Sequence, residues 1–227
     1  MAKLHFYYST MNAGKSTMLL QAAHNYAERG MQTIMLTARF DERAGQGTIG
    51  SRIGISSQAE TYASDTDLRA FVLERLAKVA DKPEQRPACI LVDEAQFLTE
   101  DQVWQLADIV DDIGIPVMAY GLRVDFAGQL FSGSRTLLAV ADEMREVRTI
   151  CWCSKKASMV VRVAENGRAV VGGAQVEIGG NDRYVSLCRK HWRQAIDEAQ
   201  GGAVRPVDPI HGRQRPASPL PGGASGG

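Results

Sequence analysis

The sequence predicts an α/β fold: a mostly parallel sheet with helices on both faces, followed by a small zinc-bound β-rich domain. Three observations carry this. From Leu4 to Ile150 short apolar runs alternate with segments of helical period, the pattern of strands joined by crossover helices. A turn of small and polar residues ending in Gly14-Lys-Ser-Thr17 joins the first such run to the first helix. At Cys151 the character changes to β-branched residues bracketed by three cysteines and a histidine.

The first strand is the apolar and aromatic run Leu4 to Tyr8. Met18, Leu19, Ala22, Ala23 and Tyr26 then recur at helical spacing, so one face of the following segment is apolar. Gly-Lys-Ser alone can open an ordinary helix. With a strand before it and a helix after it, the context is that of a phosphate-binding loop. Backbone N–H groups of the loop and of the helix N-terminus carry partial positive charge toward an anion. Gly14 lets the backbone approach, the Lys15 ammonium reaches terminal phosphates, and the Ser16 hydroxyl can ligate Mg²⁺. The strict pattern places glycine where this chain has Ser9.

Arg29-Gly30 stops the helix, and Gln32 to Thr37 reads as a second buried strand. Residues 38 to 58 are polar and glycine-rich, with Arg39, Arg43 and Arg52 and no period. They read as a loop, either an ordinary solvated one or a mobile one near the phosphates. Leu68, Phe71, Val72, Leu76 and Val79 mark a helix that ends before Pro83 and Pro87. Ala88 to Val92 is an apolar strand running into Asp93-Glu-Ala-Gln-Phe97. A strand ending in an acid is the second half of a P-loop site, where the Asp holds Mg²⁺; it can also be a polar strand end. The two motifs together make the sheet a P-loop (RecA-like) one.

Thr99 and Gln102 form a capping box, Val103, Leu106, Ala107 and Val110 follow helical spacing, and Gly114 closes that helix. Pro116 to Tyr120 is a strand, Gly121 to Phe126 a loop, Phe131 to Ala141 a short helix and Glu146 to Ile150 a strand. Ligands of such a sheet sit at the carboxyl ends of its strands, where both motifs fall.

Cys151-Trp-Cys153 opens the second part. Val160, Val161 and Val163, then Val170 and Val171, flank the hairpin signal Asn166-Gly167, and Cys188-Arg-Lys-His191 closes the segment. Cys-x-Cys, 34 intervening residues and Cys-x-x-His supply four ligands in two close pairs, a four-coordinate structural zinc arrangement. The alternative is three reduced cysteines and a surface histidine. Cys89 lies inside an apolar strand and reads as a core residue. The domains are thus 1–150, an ATP-binding P-loop domain; 151–200, a zinc domain; and 201–227, a tail. The tail holds five of the eight prolines and few apolar side chains, so it is expected to be disordered.

Composition narrows the function classes. The chain has 227 residues, 26 Lys plus Arg and 26 Asp plus Glu, for a formal net charge of zero. Balanced charge argues against a broad nucleic-acid or anionic-membrane footprint. No apolar run reaches spanning length and no signal peptide is evident, so no membrane is expected. Four cysteines without a secretory signal fit a reducing, cytoplasmic compartment.

Met11-Asn-Ala-Gly-Lys-Ser-Thr, Val92-Asp-Glu-Ala-Gln-Phe, Tyr120-Gly-Leu-Arg-Val-Asp-Phe and Ile178-Gly-Gly-Asn-Asp-Arg-Tyr-Val-Ser-Leu-Cys stand in that order. With the cysteine–histidine quartet, they make the chain resemble the type II thymidine kinases, the small tetrameric bacterial and vertebrate-cytosolic class, from about Lys3 to Ala199. Bacterial members also carry Ser at the first P-loop glycine. The resemblance implies transfer of the γ-phosphoryl of ATP to the 5′-hydroxyl of thymidine, giving dTMP in nucleotide salvage, by a cytoplasmic homotetramer. It implies that Ser9, Thr10, Met11, Asn12, Ala13, Gly14, Lys15 and Ser16 hold ATP together with Asp93, Glu94, Ala95 and Gln96. Asp93 serves the catalytic Mg²⁺, and Glu94 takes the hydroxyl proton. Asp41, Arg43 and Arg52 are candidates on the phosphate side. Met11, Phe97, Leu122, Phe126 and Phe131 would line the base pocket; core packing is the competing reading for each Phe. Gln175, Val176, Glu177, Ile178 and Gly179, with Tyr184, would form a lasso over the base. Cys151, Cys153, Cys188 and His191 would hold structural Zn²⁺. Two other classes remain open: a nucleic-acid-stimulated P-loop ATPase, since Asp93-Glu-Ala-Gln96 looks like a helicase box, and a non-enzymatic nucleotide-gated binding module.

Overall fold

A computed structural model describes residues 1–39, 47–164, 167–173, 175 and 183–201. The expected tail after Gly201, Asp41, Arg43, Asn166 and the lasso residues Val176, Glu177, Ile178 and Gly179 lie outside the described residues.

Strand β1 (Leu4–Ser9) leads into helix α1 (Lys15–Ala27), and β2 (Gln32–Ala38) follows. Three short strands come next: β3 (Thr48–Gly50), β4 (Ser56–Gln58) and β5 (Glu60–Tyr62). Then α2 (Leu68–Lys78), β6 (Pro87–Val92), α3 (Glu100–Asp108), β7 (Val117–Leu122), α4 (Ser132–Val140) and β8 (Glu143–Glu146) alternate. Six of these strands form one sheet in the order β5-β2-β6-β7-β1-β8, and each neighbouring pair runs parallel. The predicted fold class is borne out.

A parallel sheet must be covered on both faces, and strand alternation supplies two apolar faces here. Leu4, Phe6, Ile34, Leu36, Ile90, Val92, Val117 and Ala119 pack against Leu68 and Val72 of α2, Val103 and Leu106 of α3 and Leu137 of α4. The opposite face presents Tyr7, Cys89, Leu91 and Tyr120 to Leu19, Leu20 and Ala23 of α1 and to Ile49 of β3. Each large side chain buried this way contributes about 1.5–3 kcal/mol. Cys89 is the core residue its sequence context predicts.

Local chemistry sets the helix starts. Asp67 caps α2 by accepting from the Ala70 amide, and Arg75 and Lys78 in its last turn suit the negative end of the helix dipole. The capping box of α3 is present: Thr99 accepts from the Gln102 amide and Gln102 reaches back to the Thr99 amide. A π-helical turn, Ile109–Ile113, extends α3, and Gly114 ends it at φ 75°, a left-handed conformation suited to glycine.

Three expectations change. Residues 38 to 58 are not wholly loop, because Thr48–Gly50 and Ser56–Gln58 pair antiparallel as a hairpin. Its buried Ile49 packs on the α1 side of the sheet, and this one apolar anchor showed no period. The strand expected over Glu146 to Ile150 is two. β8 stays beside β1, the Val147 amide still bonds to the Tyr8 carbonyl, and β9 (Thr149–Ile150) then pairs with β10 (Lys156–Ala157). Finally, β11 (Met159–Val163) has β12 (Arg183–Leu187) as its long partner. The turn around Gly167 still folds back locally, through the Val170 amide to the Arg162 carbonyl and the Ala164 amide to the Arg168 carbonyl.

Helix α5 (Arg189–Ala199) completes the second part. Its core is Cys151, Ala157, Val161, Val163, Leu187, Cys188 and Ala195. Among the described residues no helix is long and apolar enough to cross a membrane.

Candidate active site

The register brings the carboxyl ends of β1, β6 and β7 to one edge of the sheet. Ser9 stands opposite Leu122, and Val92 stands opposite Ala119 and Leu36. The loop after β1 and the acid pair after β6 therefore open on the same side, which is where ligands of such sheets bind. The loop turns through left-handed Asn12 (φ 62°) and Gly14 (φ 86°). A Cβ on Gly14 would meet nothing within 4 Å, so its backbone angle, not crowding, selects glycine there.

Lys15 is buried, with Nζ 3.0 Å from the Ser9 hydroxyl and 3.0 Å from the Thr10 carbonyl. Ser9 in turn donates to the Thr10 carbonyl at 2.7 Å. The serine that departs from the strict glycine pattern is thus an acceptor for the lysine. Ser16 Oγ donates to Asp93 Oδ2 at 3.0 Å. Asp93 is 3% exposed. Burial first, then the Glu94 charge, pushes its carboxyl up to about 7, while the Ser16 hydroxyl, the Glu94 amide and Lys15 pull the other way.

Glu94 sits at φ 52°, a strained conformation for a side chain with a Cβ. It is held there from several directions. Its amide donates to Asp93 Oδ1 at 3.0 Å, Tyr62 donates its phenol to the Glu94 carbonyl at 2.9 Å, and the Gln96 side-chain amide donates to its carboxylate. Gln96 Oε1 accepts from the Leu122 amide at 2.9 Å, tying the acid pair to the end of β7.

A cavity of about 560 Å³ spans these groups. Met11 to Thr17, Asp93, Glu94 and Leu122 line it, and residues 50–56 of the β3–β4 hairpin, Arg52 among them, form its other wall. Ala95 and Gln96 are fully buried and are not among its lining residues. Phe97, Phe126 and Phe131 are also not among its lining residues; Phe126 and Phe131 are buried and Phe97 is partly buried. Phe97 and Phe131 meet edge to face at 5.6 Å between ring centres, and the Arg162 guanidinium lies 4.4 Å over the Phe126 ring. Gln175 donates to Asp125 Oδ2 at 2.8 Å. Tyr184 stands opposite Arg162 in the β11–β12 ladder.

Several supporting residues were given no role by the sequence: Tyr62, Arg162 and Trp192 stand outside the quoted motifs, and Asp125 and Ser186 stand inside them unassigned. Ser186 donates to the Met11 carbonyl at 2.7 Å, and the Trp192 indole donates to the Phe126 carbonyl at 3.0 Å. Both bonds dock the second part onto the first. Their partners are backbone atoms far away in sequence, which no motif records.

The ligand atoms of Cys151, Cys153, Cys188 and His191 lie within 4.8 Å of one another. Cys153 and Cys188 sulfurs are 3.9 Å apart. His191 Nδ1 is 3.4 Å from the Cys151 sulfur and 3.3 Å from that of Cys188. Tetrahedral zinc with ordinary Zn–S and Zn–N bonds separates two sulfurs by about 3.8 Å and a sulfur from a nitrogen by about 3.6 Å. The quartet therefore fits a four-coordinate metal.

This constellation agrees with the comparisons to known proteins. A family model described as thymidine kinase matches residues 2–192. A thymidine kinase of Jannaschia sp. is 64% identical over 199 residues, covering 87% of this chain and 98% of that protein. One from Rhizobium meliloti is 59% identical over 198 residues, covering 87% of this chain and 100% of that protein. One from Yersinia pseudotuberculosis is 55% identical over 199 residues, covering 88% and 98%. The matched residues 2–192 include the phosphate-binding loop, the acid pair and the cysteine–histidine quartet, and the chain belongs to the thymidine kinase family.

Proposed function

We propose that this protein transfers the γ-phosphoryl group of ATP to the 5′-hydroxyl of thymidine, giving dTMP for nucleotide salvage. The observation that carries the reading is the convergence of Lys15, Ser16, Asp93 and Glu94 on one cavity at the strand tips. Phosphoryl transfer passes through a loose transition state, so the protein mainly positions groups and offsets charge. Residues Ser9 to Ser16 hold the triphosphate, with Lys15 turning from Ser9 and Thr10 toward phosphate oxygens. Ser16 and Asp93 hold Mg²⁺, whose charge offsets that of the phosphates. Glu94 accepts the proton of the attacking hydroxyl, and the bonds to its backbone and carboxylate hold it ready. Arg52, on the facing hairpin, is the described cation able to meet the phosphates from the other side; Asp41 and Arg43 belong to the same proposal.

On the nucleoside side, Met11 and Leu122 reach the cavity. Phe97, Phe126 and Phe131 stand behind it, and the segment beginning at Gln175, with Tyr184, closes over the base. Residues 151–200 act as a separate small domain fastened by Zn²⁺ on Cys151, Cys153, Cys188 and His191. Residues 1–150 form the ATP-binding domain. The working form is a cytoplasmic homotetramer that binds neither nucleic acid nor membrane.

The test is product analysis with ATP, Mg²⁺ and a panel of nucleosides. The reading requires dTMP in amounts matching ADP. ADP released without a phosphorylated nucleoside, and faster with RNA or DNA, would overturn it in favour of a nucleic-acid-stimulated ATPase.

A further inference from the structure

We infer that Arg162 is a positioning residue for the nucleoside. It clamps the strap that leads to Gln175 against the loop that carries Asp125 and Phe126. The inference rests on the proposed function, because it takes Phe126 and the strap to be the base side of the site.

Arg162 is a charged side chain 4% exposed, one residue from the end of β11. Its position on an otherwise apolar strand, between Val161 and Val163, costs desolvation unless the cation meets polar or aromatic groups. It meets both. The guanidinium lies over the Phe126 ring at 4.4 Å, a cation–π contact strengthened by the loss of water. Its Nη2 donates to the Gly172 carbonyl at 3.2 Å. Its own backbone carbonyl accepts from the Val170 amide, and its backbone faces Tyr184 across the ladder. One residue thus touches the outgoing strap, the returning strand and the aromatic loop.

The strap is shaped to this cation. Gly173 has φ 111°, and a Cβ there would stand 2.9 Å from Arg162 Nη2. A side chain at 173 would be strained in backbone and would displace the guanidinium. Two residues on, Gln175 donates to Asp125 Oδ2 at 2.8 Å. Asp125 also accepts from the Gln129 amide at 2.8 Å, closing the turn on which Phe126 sits. Gln175–Asp125 and Arg162–Phe126 are therefore two bolts across the same seam. The Trp192 bond to the Phe126 carbonyl holds that loop from behind. Among the described residues the contacts named here run to the strap and the aromatic loop, on the base side of the proposed site, so the clamp should act on the nucleoside more than on ATP.

The experiment compares wild type with Arg162→Lys, Arg162→Met and Gly173→Ala, each checked for folding and metal content. The readouts are KM for thymidine, KM for ATP and kcat. Lysine keeps the charge but lacks the planar face that stacks on a ring and the spread of donors. The expected result is a thymidine KM raised about tenfold in Arg162→Met, less in Arg162→Lys, and raised also in Gly173→Ala. ATP KM should stay within about twofold, since uniform loss of substrate binding raises KM with kcat kept. Folded Arg162→Lys and Gly173→Ala proteins with wild-type thymidine KM would overturn the inference while leaving the kinase reading intact. A wild-type protein that makes no dTMP would overturn both.

Discussion

Ser16 and Asp93 are 77 residues apart in sequence and 3.0 Å apart at their side-chain oxygens. The strands that present them, β1 and β6, are not neighbours, since β7 lies between them. The bond therefore depends on two consecutive parallel registers, and it marks the place where a divalent cation would have one oxygen ligand on either side.

That geometry makes metal affinity pH-dependent. The carboxyl of Asp93 is pushed up to about 7 by burial and by the neighbouring Glu94 charge. In the proposed site Mg²⁺ would bind the carboxylate, whose share falls as the pH drops through that region. Lowering the pH from 8 to 6 should raise the Mg²⁺ concentration needed for half-maximal activity, by at most about tenfold per pH unit below the midpoint. Asp93→Asn should abolish the dependence along with most of the activity. Mg²⁺ titrations at fixed ATP, corrected for proton binding by ATP itself, check this; a requirement that is flat across the range would refute it.

Glu94 is held in a left-handed backbone conformation by contacts from Asp93 and Tyr62. Glu94→Gln keeps those backbone contacts and removes the proposed proton acceptor together with its charge. Turnover should fall ~10²–10⁴-fold, while ATP affinity, measured by calorimetry, should change little. Near-normal turnover in this variant would take Glu94 out of the mechanism.

Sulfur and nitrogen separations in the Cys151, Cys153, Cys188 and His191 quartet match a tetrahedral metal. Elemental analysis should find one zinc per chain. Cys153→Ser should lose it, and the loss should loosen β12, which ends beside Cys188, and α5, which begins there. Ser186 and Trp192 sit on those elements and reach Met11 and Phe126, so thymidine KM should rise more than ATP KM. Equal effects on both substrates would argue against this route of coupling.

The sheet and the two ends of the site were legible because their signals are local. A phosphate loop needs contiguous small residues, a capping box needs Thr99 and Gln102 three apart, and a metal quartet needs close pairs. Strand β5 was missed because Glu60–Tyr62 is three residues long, too short to show alternation. Yet it places Tyr62, whose hydroxyl reaches Glu94. The partner of β11 was misjudged because the Gly167 turn does fold back locally, while the longer ladder to Arg183–Leu187 closes over a wider span. Arg162 was invisible for a related reason: a lone arginine in a valine-rich strand reads as an outward-facing residue until its tertiary neighbours are known.

Packing beneath the acid pair gives a last test. Helix α4 begins against the 3-10 turn at Ala95–Phe97 that follows Glu94. Gly133, in its first turn, is the point of closest approach. A Cβ there would stand 2.5 Å from the Ala95 carbonyl oxygen and 2.8 Å from that of Leu98. Both are backbone atoms of a turn that also carries the Gln96 bond to Leu122, so neither can swing aside as a flexible side chain would. Gly133→Ala must push α4 outward or shift the turn. Overpacking of this kind costs about 1–3 kcal/mol, against which alanine's better helix propensity offsets up to about 1 kcal/mol. Thermal melting should show a net loss of stability, and kcat should fall with it because the displaced turn adjoins Glu94. Gly172→Ala is the control: a Cβ there meets nothing within 4 Å, and its stability should stay within about 0.5 kcal/mol of wild type. If Gly133→Ala melts like that control, α4 does not brace the acid pair.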